Sequence, residues 1–246
     1  MAAKQANKPL GPAKPKKKAD NSNDVNLLRK GVAKALDMIG EDGRKAGDAK
    51  FGVYAFYDYD DEPIYVGQTC EKLRSRIGRH LTNQRTDAVA MNVLDPFEVA
   101  AIEMFPLWHM QEANPKVPEV KAELNAYEFA VYHHALQASY FGALLNEKDI
   151  QPASFAVELP QGYKVGIIPD ELFAVRNHPD VRIARRASTI AALAKVVSER
   201  EVSAGLRRTL RTQARRLWAL ADARFGEFAG EVPVEIGGEE TGDDDD

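Results

Sequence analysis

Hydrophobic positions along the chain recur with two periods, and the switches between them mark the elements. Residues 51–57 (FGVYAFY) and 63–67 (PIYVG) are rich in β-branched and aromatic side chains and are separated by an acidic turn, so the pattern predicts a β-hairpin. Side chains alternate across a strand. Gly52, Tyr54 and Phe56 therefore share one face, Phe51, Val53 and Ala55 share the other, and Tyr54 and Tyr65 can face the same side. After Gly67 the period becomes helical: Leu73, Ile77 and Leu81 fall on one face, and Thr69 is a candidate cap. A third strand is expected over 96–105, closed by Pro106.

The same reasoning places a helix from Asn23 or Asp24 to about Ile39, with Leu28, Val32, Ala35, Leu36 and Ile39 on its apolar face and Gly40 ending it. Glu119 opens a long helical pattern whose apolar face carries Leu124, Tyr127, Val131 and His134 or Ala135. Strand-like pieces follow at 154–159 and 163–168, then a helix start at Pro169 and a helical region over about 181–225. The expected fold is α+β. It has a small mixed or antiparallel sheet of about three core strands flanked by helices, with a mainly helical C-terminal extension.

Composition narrows the setting. With 246 residues, 44% of them hydrophobic, the chain can bury a sizeable core. No apolar run approaches the roughly 20 residues that span a bilayer, and the N-terminus lacks an apolar signal segment, so a soluble, cytoplasmic protein is expected. The single cysteine, Cys70, excludes an internal disulfide and a cysteine-rich zinc site. His133 and His134 are adjacent, and on a helix they point about 100° apart, which does not suit joint metal ligation.

The net charge of −4 hides a strong partition. Residues 231–246 hold eight acids and no base, which leaves residues 1–230 at +4, and residues 1–18 carry six lysines. Four regions are expected: a disordered basic tail at 1–22, a core with an N-terminal helix at 23–160, a basic helical extension at 161–230, and a disordered acidic tail at 231–246. Residues 182–218 contain ten Arg or Lys against Glu199 and Glu201. Such an excess is a candidate phosphate-binding surface. The candidate contacts are Arg182, Arg185, Arg186, Arg207, Arg208 and Arg211, with Lys72, Arg74, Arg79 and Arg85 on or just after the first motif helix.

One stretch carries a more specific pattern. Gly52-Val-Tyr54 is followed after ten residues by Tyr65-Val-Gly67, then Gln68-Thr69, and then Leu73, Arg76, Ile77 and His80 at helical spacing. Arg76 and His80 lie four apart, hence one turn from each other on one face. Taken singly, a strand tyrosine is a cross-strand packing residue and a helix arginine a solvated one. As an ordered set they resemble the GIY-YIG nuclease signature. The resemblance implies a nuclease core in which Tyr54, Tyr65, Arg76, His80, Glu128 and Asn146 are catalytic. Leu144-Leu145-Asn146 fits the family's short ending, and Glu128 stands where its metal-binding glutamate is expected, with Glu123 as the alternative ligand.

The implied chemistry is phosphodiester hydrolysis in double-stranded DNA with Mg²⁺ or Mn²⁺ as cofactor. A single carboxylate with waters and phosphate oxygens suits Mg²⁺, and Arg76 offers a fork-shaped permanent charge to the scissile phosphate. A phenol has an unperturbed pKa of about 10, but a nearby metal and guanidinium favour the phenolate. By resemblance Tyr54 is the base, Tyr65 and His80 orient or relay protons, and Asn146 shapes the site.

The segment from Asp87 to Val99 with Phe105-Pro-Leu-Trp108 looks like the type II restriction branch, which implies a restriction-modification system and a homodimer on a palindromic target. A GIY-YIG nuclease of the repair or homing type, or an inactive DNA-binding protein on the same fold, are the other readings. Asp95 with Glu119 and Lys121 has the residue content of the other large restriction-enzyme fold, but Glu119 and Lys121 follow Pro118 at a helix start, where that chemistry wants a strand.

Overall fold

The computed structural model describes residues 21–81, 93–148, 150–199 and 201–229. Arg85, residues 1–20 and 231–246 of the expected tails, and residues 87–92 of the segment resembling the restriction branch lie outside them. Strands β1 (Gly52–Tyr57) and β2 (Pro63–Thr69) form the expected antiparallel hairpin. Its turn is held by Asp58, whose Oδ1 accepts the backbone N–H groups of Asp60 (2.9 Å) and Glu62 (3.1 Å). Asp61, at φ 61°, takes the left-handed position that Asp tolerates better than most residues.

Strand β3 (Ala101–Pro106) pairs antiparallel with the other side of β1, and β4 (Tyr163–Gly166) pairs antiparallel with β3. The sheet order is β2-β1-β3-β4. The third strand is shorter than its apolar run because Pro96–Glu98 turns as a 3-10 segment capped by Asp95, which accepts the Phe97 N–H at 2.9 Å. Of the two later strand-like pieces only the second forms a strand; residues 154–159 do not.

Alternation along β1 sorts the core into two layers. Tyr54 and Phe56, with Ile102 and Met104 of β3, pack under α1 (Asn21–Leu36) and α2 (Leu73–Leu81). Val53, Ala55, Val66 and Phe105 pack on the opposite side against Val131 and Ala135 of α3 (Pro118–Ala138). Each fully buried large apolar side chain contributes roughly 1.5–3 kcal/mol, so these two interfaces fix which face each tyrosine takes. Helix α1 stops at Leu36 rather than Ile39 because the chain folds back: Met38 and Gly40 pair with Ala46 and Arg44, and Ile39 is left 57% exposed. Thr69 does not cap α2 directly. It closes a turn with Glu71, and the helix begins at Leu73, whose N–H reaches Ala49 O.

The C-terminal helices are α4 (Asp170–Arg176), α5 (Pro179–Glu199) and α6 (Ala204–Ala229), and the last two share this core, since Leu193 and Leu206 belong to the same apolar cluster as Tyr54. They are also tied to the hairpin turn by buried charge. Asp58 meets Arg186 at 3.0 Å and Arg216 at 2.6 Å, with Arg182 at 3.6 Å, while Arg182 also pairs with Asp60 and Arg186 with Glu98 at 2.9 Å. Arg182 and Arg186, expected as phosphate contacts, are thus inside the protein and engaged by carboxylates. Arg185 is largely occupied as well, pairing with Asp95 at 2.7 Å and stacking over Phe97. No helix among the described residues is long and apolar enough to cross a membrane.

A candidate active site at the edge of the sheet

In the hairpin register Tyr54 lies opposite Gly67 and Phe56 opposite Tyr65, so both tyrosines project from the same face. Their ring centroids are 6.2 Å apart. His80, one turn after Arg76 on α2, completes the cluster: its ring is 5.7 Å from Tyr54 and 5.2 Å from Tyr65, and its Nδ1 lies 3.4 Å from the Tyr54 hydroxyl. Phe56 stacks on Tyr65 at 5.8 Å. Tyr54 and His80 are buried, whereas Tyr65 is only partly so.

The glycine of the second half-motif has a steric reason. A Cβ at Gly67 would stand 2.7 Å from the Tyr54 hydroxyl and 3.0 Å from the Tyr65 ring. Gly67→Ala is expected to displace the Tyr54 ring and destabilise the fold by about 1–3 kcal/mol, the usual cost of overpacking. A thermal unfolding midpoint lower by several degrees checks this; an unchanged midpoint would mean the contact is slack.

A cavity of about 720 Å³ opens beside β2, lined among others by Tyr65, Gln68, Arg76, Glu128, Asn146 and Glu147. The six residues expected to be catalytic therefore form two groups joined at Tyr65. Tyr65, Arg76, Glu128 and Asn146 line the cavity, and Tyr54 and His80 stand behind Tyr65. Burial pushes the Glu128 carboxyl up to about 7, partly opposed by the Gln68 backbone N–H and the Arg76 charge. Arg76 Nε is buried with no hydrogen-bond partner among the described residues, a donor left for an anion in the cavity.

Asn146 does something the sequence does not reveal. Its amide both accepts from Val66 N–H at 3.1 Å and donates to Val66 O at 2.7 Å, and Leu145 N–H bonds Ile64 O at 2.8 Å. Residues 145–146 thus close part of the outer edge of β2 and hold the cavity wall in place.

The alternative ligand Glu123 is not part of the cavity; its carboxylate meets His109 Nε2 at 2.9 Å. Of the cations expected on α2, Arg74 is bound to Asp37 (2.6 Å) and Asp48 (3.2 Å), and Arg79 pairs with Glu71 through both guanidinium nitrogens, so both are at least partly spent on the fold. Lys72 is exposed. Arg207 and Arg211 are exposed on α6 and Arg208 is half-buried.

Sequence reasoning missed Glu147, Lys148, Gln68 and Asn125 as cavity-lining residues. Gln68 and Asn125 are joined by a 2.8 Å hydrogen bond across β2 and α3. Adjacency to Asn146 was the available signal for Glu147 and Lys148; nothing in the pattern singled out Asn125.

The donor set fits a hard divalent cation. Two carboxylates, Glu128 and Glu147, line one cavity, and among the described residues no group of three or more His, Cys, Asp or Glu could hold a metal. Mg²⁺ is commonly held by one or two carboxylates with waters and substrate phosphates, whereas zinc sites require more protein ligands. A buried carboxyl held near 7 is also one whose ionised form a cation would stabilise.

Residues 50–114 match the GIY-YIG catalytic domain family. The match spans the hairpin, α2 and β3, ends before Glu128 and Asn146, and implies a nuclease-type function acting on DNA. Comparison of the chain with curated proteins and with solved structures gives no match.

Proposed function

We propose that this protein is a type II restriction endonuclease that hydrolyses phosphodiester bonds at a specific double-stranded DNA site with Mg²⁺, or Mn²⁺ in its place. The observation that carries the reading is the meeting of a phenol, a guanidinium and two carboxylates on one cavity, with a second phenol and an imidazole directly behind. In this reading the scissile phosphate enters beside Arg76, whose unpaired Nε and fixed charge attract its non-bridging oxygens and offset charge as it develops. Bound at Glu128, with Glu147 nearby, the metal would neutralise phosphoryl charge as a Lewis acid.

Attack by water on phosphorus forms the new P–O bond and expels the 3′-oxygen, and the water proton must leave as this happens. Tyr65 stands at the cavity, and Tyr54, the base by resemblance, lies behind it with the His80 ring against both phenol rings. The two phenols and the imidazole act as one relay, with the water at its Tyr65 end. Asn146 supports the geometry by pinning Val66 beside Tyr65.

The restriction branch rests on the likeness of residues 87–99 and 105–108. It requires a two-fold symmetric homodimer, each subunit cutting one strand of a palindrome. Incubating the purified chain with plasmid and Mg²⁺, with and without chelator, tests this. Discrete fragments sharing one end sequence, abolished by chelator, are expected. Fragments with scattered ends would move the protein to another nuclease branch, and DNA retained intact would make it a binder only.

A further inference from the structure

Of the six cations in the helical extension with candidate roles in phosphate binding, the structure spends three on the fold: Arg182 and Arg186 inside it, and Arg185 on Asp95. What remains is concentrated on α6. Gly205, Thr209, Thr212, Gln213 and Arg216 are buried, forming an inward stripe at helical spacing, while Arg207 and Arg211 stand on the exposed side. Neither side chain makes a hydrogen bond or ion pair among the described residues.

The inward stripe places this helix with unusual definiteness. A Cβ at Gly205 would lie 1.8 Å from Glu147 O, so the first turn of α6 lies directly on the residue that lines the cavity. Gln213 donates to the backbone oxygen of Val93, another cavity residue, at 3.1 Å. Arg216 anchors the same stripe on Asp58 at 2.6 Å, in the turn of the hairpin that carries both tyrosines. Lys148, next to Glu147, is exposed on the cavity wall and likewise unpaired among the described residues.

We infer that Lys148, Arg207 and Arg211 form a phosphate track leading out of the cavity along the N-terminal half of α6, and that this track holds the DNA backbone flanking the scissile bond. Arg207 and Arg211 are one helical turn apart, about 6 Å along the axis, so they can meet phosphates in succession. The helix that carries the track is itself seated, through its opposite face, on the cavity wall and the hairpin turn, so the track fixes the position of the strand relative to Arg76 and Tyr65. It carries no base-reading group of its own and adds affinity without sequence preference. The inference rests on the nuclease reading for the identity of the strand, but the binding surface is tested separately from cutting.

The test is fluorescence anisotropy of a labelled duplex at several salt concentrations in chelator, comparing the full-length protein with Arg207→Ala/Arg211→Ala. Each lost phosphate contact lowers the slope of log affinity against log salt by about 0.9, so the double variant is expected to lose close to two units of slope and to bind about tenfold or more weakly near physiological salt. Arg207→Lys/Arg211→Lys should retain the slope, since lysine also neutralises a phosphate. Arg29→Ala/Lys30→Ala, two exposed cations on α1, should leave it unchanged. An unaltered slope in the alanine variant, an equal loss in the lysine variant, or an equal loss in the α1 control overturns the track. If the wild-type protein binds duplex DNA but does not cut it, the nuclease reading fails while the track is judged on the slopes alone.

Discussion

Glu128→Gln is expected to lose cleavage and gain stability at once, a combination that general damage to the fold cannot produce. The glutamine keeps the shape of the side chain but cannot supply an anionic oxygen to a cation. Cleavage of plasmid DNA in Mg²⁺ should fall by about 10²–10³-fold, the scale seen when one preorganised charge contact to a reacting phosphate or oxyanion is removed. The stability gain follows from burial, which lifts the carboxyl from its ordinary 4.5 to about 7.

A carboxyl whose folded value lies above its unfolded one is undisturbed below about pH 4.5, and its cost to the fold grows as pH rises through about 7. The full cost is on the order of 3 kcal/mol, at about 1.4 kcal/mol per pKa unit. Melting the two proteins in chelator should therefore show the variant more stable at pH 8, with the difference fading towards pH 5. Mg²⁺ should raise the wild-type midpoint and leave that of the variant unchanged. A variant that cuts at the wild-type rate, or melts lower at every pH, would remove Glu128 from the proposed metal site.

Asp58→Ala is expected to be among the most damaging single changes in the molecule. Asp58 is 3% exposed and faces Arg186 and Arg216 at 3.0 and 2.6 Å, with Arg182 at 3.6 Å. It also accepts two backbone N–H groups of the hairpin turn. Removing one partner from a buried ionic cluster costs about 3–5 kcal/mol because uncompensated charge stays inside, and burial already lowers the pKa of Arg216. A midpoint lower by roughly 10–15 °C in circular dichroism, or loss of a cooperative transition, is expected at 2–4 °C per kcal/mol for a chain of this size. A loss of under 1 kcal/mol would show that water or Asp60 and Glu98 take over the arginines. The cluster also means that C-terminal truncation would strip the hairpin turn of its partners.

The arrangement around the tyrosines was legible in the sequence because it is local. Period two over 51–57 and 63–67 puts Tyr54 and Tyr65 on one face whatever else the chain does, and period 3.6 after Leu73 puts Arg76 and His80 one turn apart. Glu128 lines the cavity although α2, β3 and a loop separate its helix from the hairpin. The fourth strand, by contrast, is only four residues long, and its pairing with β3 could not be told from that of residues 154–159 by composition.

The charges were where sequence reasoning had least purchase. Ten basic residues between 182 and 218 look alike as letters, yet Arg182, Arg186 and Arg216 are buried on carboxylates and Arg207 and Arg211 face outward. The partners that decide this, Asp58 and Glu98, lie more than eighty residues away in the chain, so no window of sequence contains both halves of the pair. The sequence by itself determined the α+β class, the hairpin and the phenol, guanidinium and imidazole set, since those depend on backbone period and short-range spacing. Only the tertiary structure decided that Glu128 and not Glu123 meets the cavity, that Asn146 clamps Val66, and which arginines are buried on carboxylates and which face outward, because burial and charge pairing are fixed by contacts between segments far apart in the chain.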